Sequence, residues 1–262
     1  MYSIPFVICS APKDYLKLPY VIRGLIDHYT GVCEIFLVTP DVIPDNIKEN
    51  IKSIFDKVSY VLDSELPIDK SRINFRSPGW ITQQFVKLLA ERIIFPNKGY
   101  RVWGVIDADT ILNRPISNSS DTGGEIFYHT KYQRHQPYFD FITKYLNTDI
   151  NLNSIYSYIA EIMIFKKSYI DALIGDTNKF LEFCYNNINN ECYLSEYELY
   201  GHYVRYCYNH INVDNNDYYI DHKFLAAAPF SKINQDWTTE EIEMVLKLGL
   251  ECDMININSI RW

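Results

Sequence analysis

The sequence predicts an α/β fold: a mixed central sheet flanked by helices, with a Rossmann-like βαβ unit as its N-terminal half. Three observations predict it. The first forty residues read strand, helix, strand, which sets two parallel strands side by side through a right-handed crossover. Arg101 to Ile106 is an apolar, β-branched run that meets Asp107-Ala108-Asp109, as in a buried strand ending at an acidic tip. Nothing repeats, and no linker rich in Pro, Gly or Ser divides residues 1–262, so a single domain is expected.

Ile4 to Cys9 is a short apolar strand that opens into the turn-rich loop Ser10-Ala11-Pro12-Lys13-Asp14. Leu18 to Tyr29 carries Val21, Ile22, Leu25 and Ile26 at helical spacing, and Glu34 to Thr39 returns as a strand that stops at Pro40-Asp41. Ligands of such sheets sit beyond the carboxyl ends of the strands, and the Ser10 loop lies at one of those ends. Asp45 to Phe55 reads as a helix and Val58 to Leu62 as a third strand. The polar stretch holding Asp63, Glu65, Asp69, Lys70 and Arg72 reads as a surface loop. Ser77-Pro78 then offers a cap and a first-turn proline to a helix that turns Ile81, Phe85 and Leu88 inward. On that helix Gln84 and Lys87 fall near one another on a flanking face, where a lysine either meets solvent or reaches a phosphate.

Beyond the acidic tip come a Ser/Asn/Gly loop from Ser117 to Gly124, a strand at Glu125 to His129 and a helix at Phe139 to Leu146. Tyr156 to Phe165 reads as one strand with Glu161 among apolar neighbours, and Ser168 to Cys184 most simply as one helix. Ser195 with Glu198 three residues later fits a capping box, opening a helix through Val204 and Tyr208. That gives Glu198 a structural duty, whereas Glu196, at the first helical position, has none beyond complementing the helix dipole. Tyr218 to Phe224 is a short strand or turn, and Thr238 to Leu250 a helix.

Composition excludes several function classes. With 47% hydrophobic and 22% charged residues the chain is ordinary for a globular protein. Its net charge of -8 offers no basic field to nucleic-acid phosphates, so nucleic acid is set aside as a partner. The six cysteines show neither Cys-x-x-Cys nor metal-finger spacing and read as buried thiols in a reducing compartment. No apolar run approaches the ~20 residues that span a bilayer. The N-terminus lacks a secretory pattern, so a cytoplasmic, or cytosol-facing, protein is expected.

Two carboxylates one residue apart in a partly buried site raise each other's pKa, and a hard divalent cation removes the conflict. Mg²⁺ or Mn²⁺ takes oxygen ligands, often only one or two of them protein carboxylates, and completes its shell with water and substrate phosphates. Asp-x-Asp alone is a common chance pattern; its weight here comes from the strand leading into it. Among the histidines, His202 and His210 fall within a predicted helix. His222 follows an acid in a C-terminal segment that could fold back over the site, although a lone histidine is more often structural.

Three stretches together, Gly79-Trp80-Ile81-Thr82-Gln83-Gln84, Val105-Ile106-Asp107-Ala108-Asp109-Thr110 and Ser195-Glu196-Tyr197-Glu198-Leu199-Tyr200-Gly201, resemble the nucleotide-sugar-dependent glycosyltransferases of the GT-A fold. They are most similar to a poorly characterised bacterial and viral branch. The likeness runs from the first strand to about Tyr203. It implies a single GT-A-like domain, with a nucleotide-binding half over about 1–115 and an acceptor-side half over about 116–262. It further implies Mn²⁺ or Mg²⁺, a UDP- or GDP-linked sugar donor and a glycan or glycoconjugate acceptor. Under it, Asp109 is the direct metal ligand, Asp107 reaches the ribose or binds the metal through water, and His222 is the position matching a C-terminal metal-binding histidine. Ser10, Ala11 and Pro12 hold base and ribose, Gln84 and Lys87 sit beside the ribose and diphosphate, and Glu161 and Glu196 lie on the acceptor side. An inverting reaction needs a base about 3 Å from the acceptor hydroxyl, for which Glu196 is the first choice, with Glu198 and Glu161 behind it. A retaining reaction needs no base in that place.

Two other readings fit parts of the chain. A sugar-phosphate nucleotidyltransferase shares the βαβ beginning and the acids, but its first loop is usually glycine-rich and basic, and Ser10 to Asp14 has no glycine. A non-catalytic carbohydrate-binding protein of the same fold is the other, since fold does not secure function.

Overall fold

A computed structural model describes residues 4–117, 125–131, 135–147, 156–208, 220–224, 227–233, 236–248 and 251–260. The N-terminal strand β1 (Ile4–Cys9) is followed by a 3-10 turn (Pro12–Lys17), α1 (Leu18–His28), β2 (Val32–Thr39), α2 (Asp45–Ile54) and β3 (Val58–Leu62). Next come α3 (Pro78–Ile93), β4 (Val102–Ile106), β5 (Thr110–Leu112), β6 (Glu125–Lys131), α4 (Gln136–Leu146), β7 (Tyr156–Ser157) and β8 (Ile162–Lys166). The chain continues through α5 (Lys167–Ile174), α6 (Thr177–Asn187), α7 (Glu196–His202), β9 (Ile220–Phe224), β10 (Ala227–Ile233), α8 (Thr239–Leu246) and β11 (Met254–Ile260). Five strands form a sheet in the order β3-β2-β1-β4-β8, and two three-stranded sheets have the orders β10-β11-β5 and β7-β6-β9. In the larger sheet β1 pairs in parallel with β2 and β4, and β2 with β3, which is the α/β architecture expected.

Two compact units can be distinguished: Met1–Glu65 with Gly104–Asn118 and Leu225–Trp262, and Leu66–Trp103 with Ser119–Phe224. In the first, β1 is buried along its length and α1 turns Leu18, Val21, Ile22 and Leu25 into the core. Helix α1 lies close on β5 at Gly24, where a Cβ would fall 2.7 Å from the Leu112 carbonyl oxygen, so only glycine permits the approach. On its other side β5 pairs antiparallel with β11, Thr110 opposite Asn256. Strands β10 and β11 give the sequence little to read, because their partner β5 lies more than a hundred residues earlier and a three-residue strand carries no period.

In the second unit α3 buries Ile81, Phe85, Leu88 and Leu89 as expected, but Gln84 and Lys87 are buried with them. The flanking face faces protein, not water. Trp103 stacks on Phe165 with ring centres 5.7 Å apart, and its indole N–H donates to the Lys87 carbonyl at 3.0 Å. The single strand expected over Tyr156 to Phe165 is two strands, divided where Glu161 takes a left-handed φ of 58°. The single helix expected over Ser168 to Cys184 is also divided. Gly175 turns the chain at φ 58°, and Asp176 caps α6 by accepting from the Lys179 N–H at 2.9 Å. The expected polar loop contains two short 3-10 turns, Asp63–Glu65 and Lys70–Arg72, and hides Leu66 and Ile73.

Residues 118–124 of the expected Ser/Asn/Gly loop lie outside the described residues, as do His210, Tyr218 and Tyr219. Among the described residues no helix is long and apolar enough to cross a membrane. Cys9, Cys184 and Cys252 are buried free thiols as expected, whereas the free thiols Cys33 and Cys192 are only half-buried.

Candidate active site

The parallel strands β3, β2, β1 and β4 run the same way, so Leu62, Thr39, Cys9 and Ile106 all end at one edge of the sheet. Open α/β sheets bind ligands at that edge. Phe6 is level with Gly104 and Val7 with Val105. β1 ends at Cys9 and β4 at Ile106 on this edge, so Ser10-Ala11-Pro12 and Asp107-Ala108-Asp109 both begin there. Ser10 is buried and its N–H donates to the Val38 carbonyl at 3.0 Å, whereas Ala11 is half-buried and Pro12 exposed. The loop is thus rooted at its first residue and open at its third.

Asp107, Ala108 and Asp109 form the turn between β4 and β5. The Thr110 N–H donates to the Asp107 carbonyl at 3.1 Å, and the Ile257 N–H to the Asp109 carbonyl at 2.8 Å, so the backbone is held on both sides. Ala108 is buried and the two aspartates half-buried. Among the described residues no three His, Cys, Asp or Glu side chains gather as a closed metal cage. A pair of part-exposed carboxylates instead suits Mg²⁺ or Mn²⁺, which draws most of its shell from water and phosphate oxygens. The backbone of His222 lies in β9 opposite Phe127, and its side chain is outside the described residues.

Residues not singled out from the sequence add to this edge. The Tyr15 hydroxyl and the Thr39 hydroxyl both donate to the Asp41 carbonyl, at 2.9 and 2.8 Å, tying the turn after β1 to the turn after β2. Burial, with the charges of Asp41 and Asp63, raises the Tyr15 pKa, so the phenol remains a donor. Lys17, 1% exposed, meets Asp14 at 2.6 Å, which closes the 3-10 turn from below. Strand-end position was the signal that marks Thr39, Asp41 and Asp63 in the sequence.

In the second unit the structure brings Gln84, Lys87 and Glu196 together. Lys87 Nζ lies 2.9 Å from Glu196 Oε1 and 4.8 Å from the centre of the Tyr197 ring. The Gln84 side-chain oxygen accepts from the Glu196 N–H at 3.3 Å, satisfying a donor in the first turn of α7. Ser195 caps the same helix by accepting from the Glu198 N–H at 3.4 Å. The Glu198 carboxylate turns elsewhere: it accepts from the Ser157 hydroxyl at 2.6 Å and the Tyr158 N–H at 3.1 Å, and lies 3.1 Å from His202 Nε2. Ser157, Glu198 and His202 are at most 1% exposed. This buried cluster ties α7 to Ser157 and Tyr158, in the segment leading to Glu161. Glu161 itself is half-buried and holds the left-handed backbone of a strained residue.

Fold and site together define an α/β protein with an acidic turn, Asp107–Asp109, at the carboxyl edge of its parallel strands. Residues 14–241 match the profile of DUF6492, a family of unknown function, and the chain belongs to that family. Among solved structures, the galactosyltransferase LgtC with donor and acceptor sugar analogues is 8% identical, covering 97% of this chain and 87% of its own, with a TM-score of 0.49. Mouse xyloside xylosyltransferase 1 is 8% identical over 98% of this chain and 97% of its own, with a TM-score of 0.46. The bifunctional glycosyltransferase WbbM is 12% identical over 97% of this chain, with a TM-score of 0.45, and this chain spans 45% of its length. Similarities this remote decide neither chemistry nor substrate. No curated protein matches.

Proposed function

We propose that this chain is a metal-dependent glycosyltransferase that moves a sugar from a nucleoside-diphosphate donor to a hydroxyl of a glycan or glycoconjugate. The observation that carries the reading is the Asp107–Asp109 turn, which shares the carboxyl edge of four parallel strands with the Ser10–Pro12 loop. The three sequence stretches that resemble GT-A transferases support the same reading.

In this reading Asp109 is the direct ligand of Mn²⁺ or Mg²⁺, and Asp107 reaches the ribose or a metal-bound water. The bound cation supplies stabilisation of the negative charge that grows on the departing diphosphate. Ser10, Ala11 and Pro12 offer backbone groups and an open turn to base and ribose. If the reaction inverts, a carboxylate must take the acceptor's proton as its oxygen attacks the anomeric carbon. Of the three candidates, Glu196 and Glu198 are at most 1% exposed, closed to an acceptor, whereas Glu161 is half-buried and open to one. We therefore favour Glu161 as the base, with Gln84, Lys87, Glu196 and Glu198 positioning the segment around it.

A thermal-shift panel of UDP, GDP and CDP and their sugars, each with and without Mn²⁺, tests the reading, because a ligand bound only by the native state raises its melting temperature. We expect one nucleotide class to stabilise the chain only when Mn²⁺ is present, and Asp109→Ala to abolish that response. A panel without any metal-dependent shift would remove the transferase reading.

A further inference from the structure

We propose that a cluster of rings in the second unit, Trp80, Tyr138, Phe75 and Tyr193 with His135 at its rim, is a docking platform for a neutral pyranose. Its assignment to the acceptor glycan rests on the transferase reading; its affinity for a sugar does not.

The rings come from three places in the chain. Phe75 and Trp80 flank the start of α3, Tyr138 lies in the first turn of α4, and Tyr193 precedes α7. Trp80 and Tyr138 lie near-parallel, 14° apart, with ring centres at 6.2 Å, and Tyr193 stands edge-on to both at 5.7 and 5.2 Å. Phe75 continues the cluster 5.8 Å from Trp80. Rings that only fill a core are buried, as Tyr197 and Tyr200 are at 3% and 1% exposure. Phe75, Trp80 and Tyr138 are instead half-buried, with Tyr193, at 6% exposure, as the cluster's buried ring, and His135 is exposed.

The polar ends of these rings are allocated unequally. The Tyr193 hydroxyl is 2.5 Å from His135 Nε2, and so is committed. Among the described residues the Trp80 indole N–H and the Tyr138 hydroxyl have no protein hydrogen-bond partner. Burial raises the Tyr138 pKa, with further upward contributions from Tyr193 and the carboxylates of Glu196 and Glu198, so its hydroxyl keeps its proton as a donor. A pyranose presents C–H groups on one face and hydroxyls around its edge. Aromatic faces accommodate the first, and ring-edge N–H and O–H groups meet the second. The rings and their N–H and O–H donors are uncharged, and the carboxylates of Glu196 and Glu198 near Tyr138 are opposed by Lys87, 2.9 Å from Glu196, and by Arg76, 5.9 Å over the Phe75 ring; with neither sign of charge prevailing, the platform is committed to a neutral sugar.

The test is binding of the full chain to a printed array of neutral and acidic glycans, followed by titration calorimetry with the best neutral oligosaccharide. We expect saturable binding to neutral glycans, weakened about tenfold or more by Trp80→Ala and by Tyr138→Ala. Tyr60→Ala, which changes an exposed tyrosine of β3, serves as the control for lost aromatic surface. Circular dichroism and melting temperature confirm that each variant folds. Absence of glycan binding, preference for acidic glycans, or binding indifferent to both substitutions in folded protein would overturn the proposal. Loss of a dimer in Trp80→Ala, with no glycan bound by the unaltered chain, would assign the rings to a second copy instead. Release of nucleoside diphosphate from donor by the unaltered chain, measured in parallel, separates the two readings. Turnover without glycan binding sinks only the platform, and glycan binding without turnover sinks only the transferase.

Discussion

Lys87 and Glu196, 109 residues apart in sequence, form a buried ion pair: Nζ and Oε1 are 2.9 Å apart and the side chains 4% and 1% exposed. Removing one partner of such a pair strands the other charge, at a cost of about 3–5 kcal/mol. We expect Lys87→Met and Glu196→Gln each to lower the unfolding free energy toward that range in urea titrations. The double variant Lys87→Met/Glu196→Gln should lose less than the sum of the two, because no lone charge remains.

Glu161 should separate stability from activity. A non-glycine residue held at a left-handed φ costs about 1 kcal/mol or more, and glycine removes that cost. Glu161→Gly is expected to match or exceed the native melting temperature while losing sugar transfer, and Glu161→Gln to lose transfer with little change in stability. Full transfer by Glu161→Gln would return the base to Glu196 or Glu198.

The approach of α1 to β5 makes a distant handle on the acidic turn. A Cβ at Gly24 would press on the Leu112 carbonyl oxygen at 2.7 Å, three residues past Asp109. Gly24→Ala should cost about 1–3 kcal/mol, the range for overpacking, and weaken the metal-dependent thermal shift. Denaturant titration and the shift assay read the two effects separately.

Acid should remove one surface tether. Burial alone would raise the Asp171 pKa, but hydrogen bonds from Arg92 and Lys167 outweigh it and lower the value. A carboxyl lowered on folding stabilises above its unfolded pKa of about 3.9 and loses that contribution as pH falls through the folded value. The difference in melting temperature between the native chain and Asp171→Asn should therefore be present near neutral pH and close as pH falls below about 4.

The first sheet and the acidic tip are legible in the sequence because each rests on a local pattern. Val21, Ile22 and Leu25 repeat at helical spacing, Ile35 to Val38 is a continuous apolar run that stops at Pro40, and a second apolar run ends at Asp107. Lys87 is not legible in the same way. Helical spacing gives its face, but only Glu196, brought in from the start of α7, makes burying an ammonium affordable. Glu161 hides for a related reason: its neighbours read as one strand, and nothing local marks its left-handed φ or the hold of Glu198, from another part of the chain, on Ser157 and Tyr158. Trp80 and Tyr138 look in sequence like any core aromatic, and only their half-burial and unused donors mark them out.

The most direct measurement of the central claim is release of nucleoside diphosphate from a panel of nucleoside-diphosphate sugars, with and without Mn²⁺, by the native chain and by Asp109→Ala. The account predicts release from one donor class that requires the cation and disappears in Asp109→Ala while its fold persists. Release that is unchanged in Asp109→Ala, or no release from any donor with Mn²⁺ present, would contradict it.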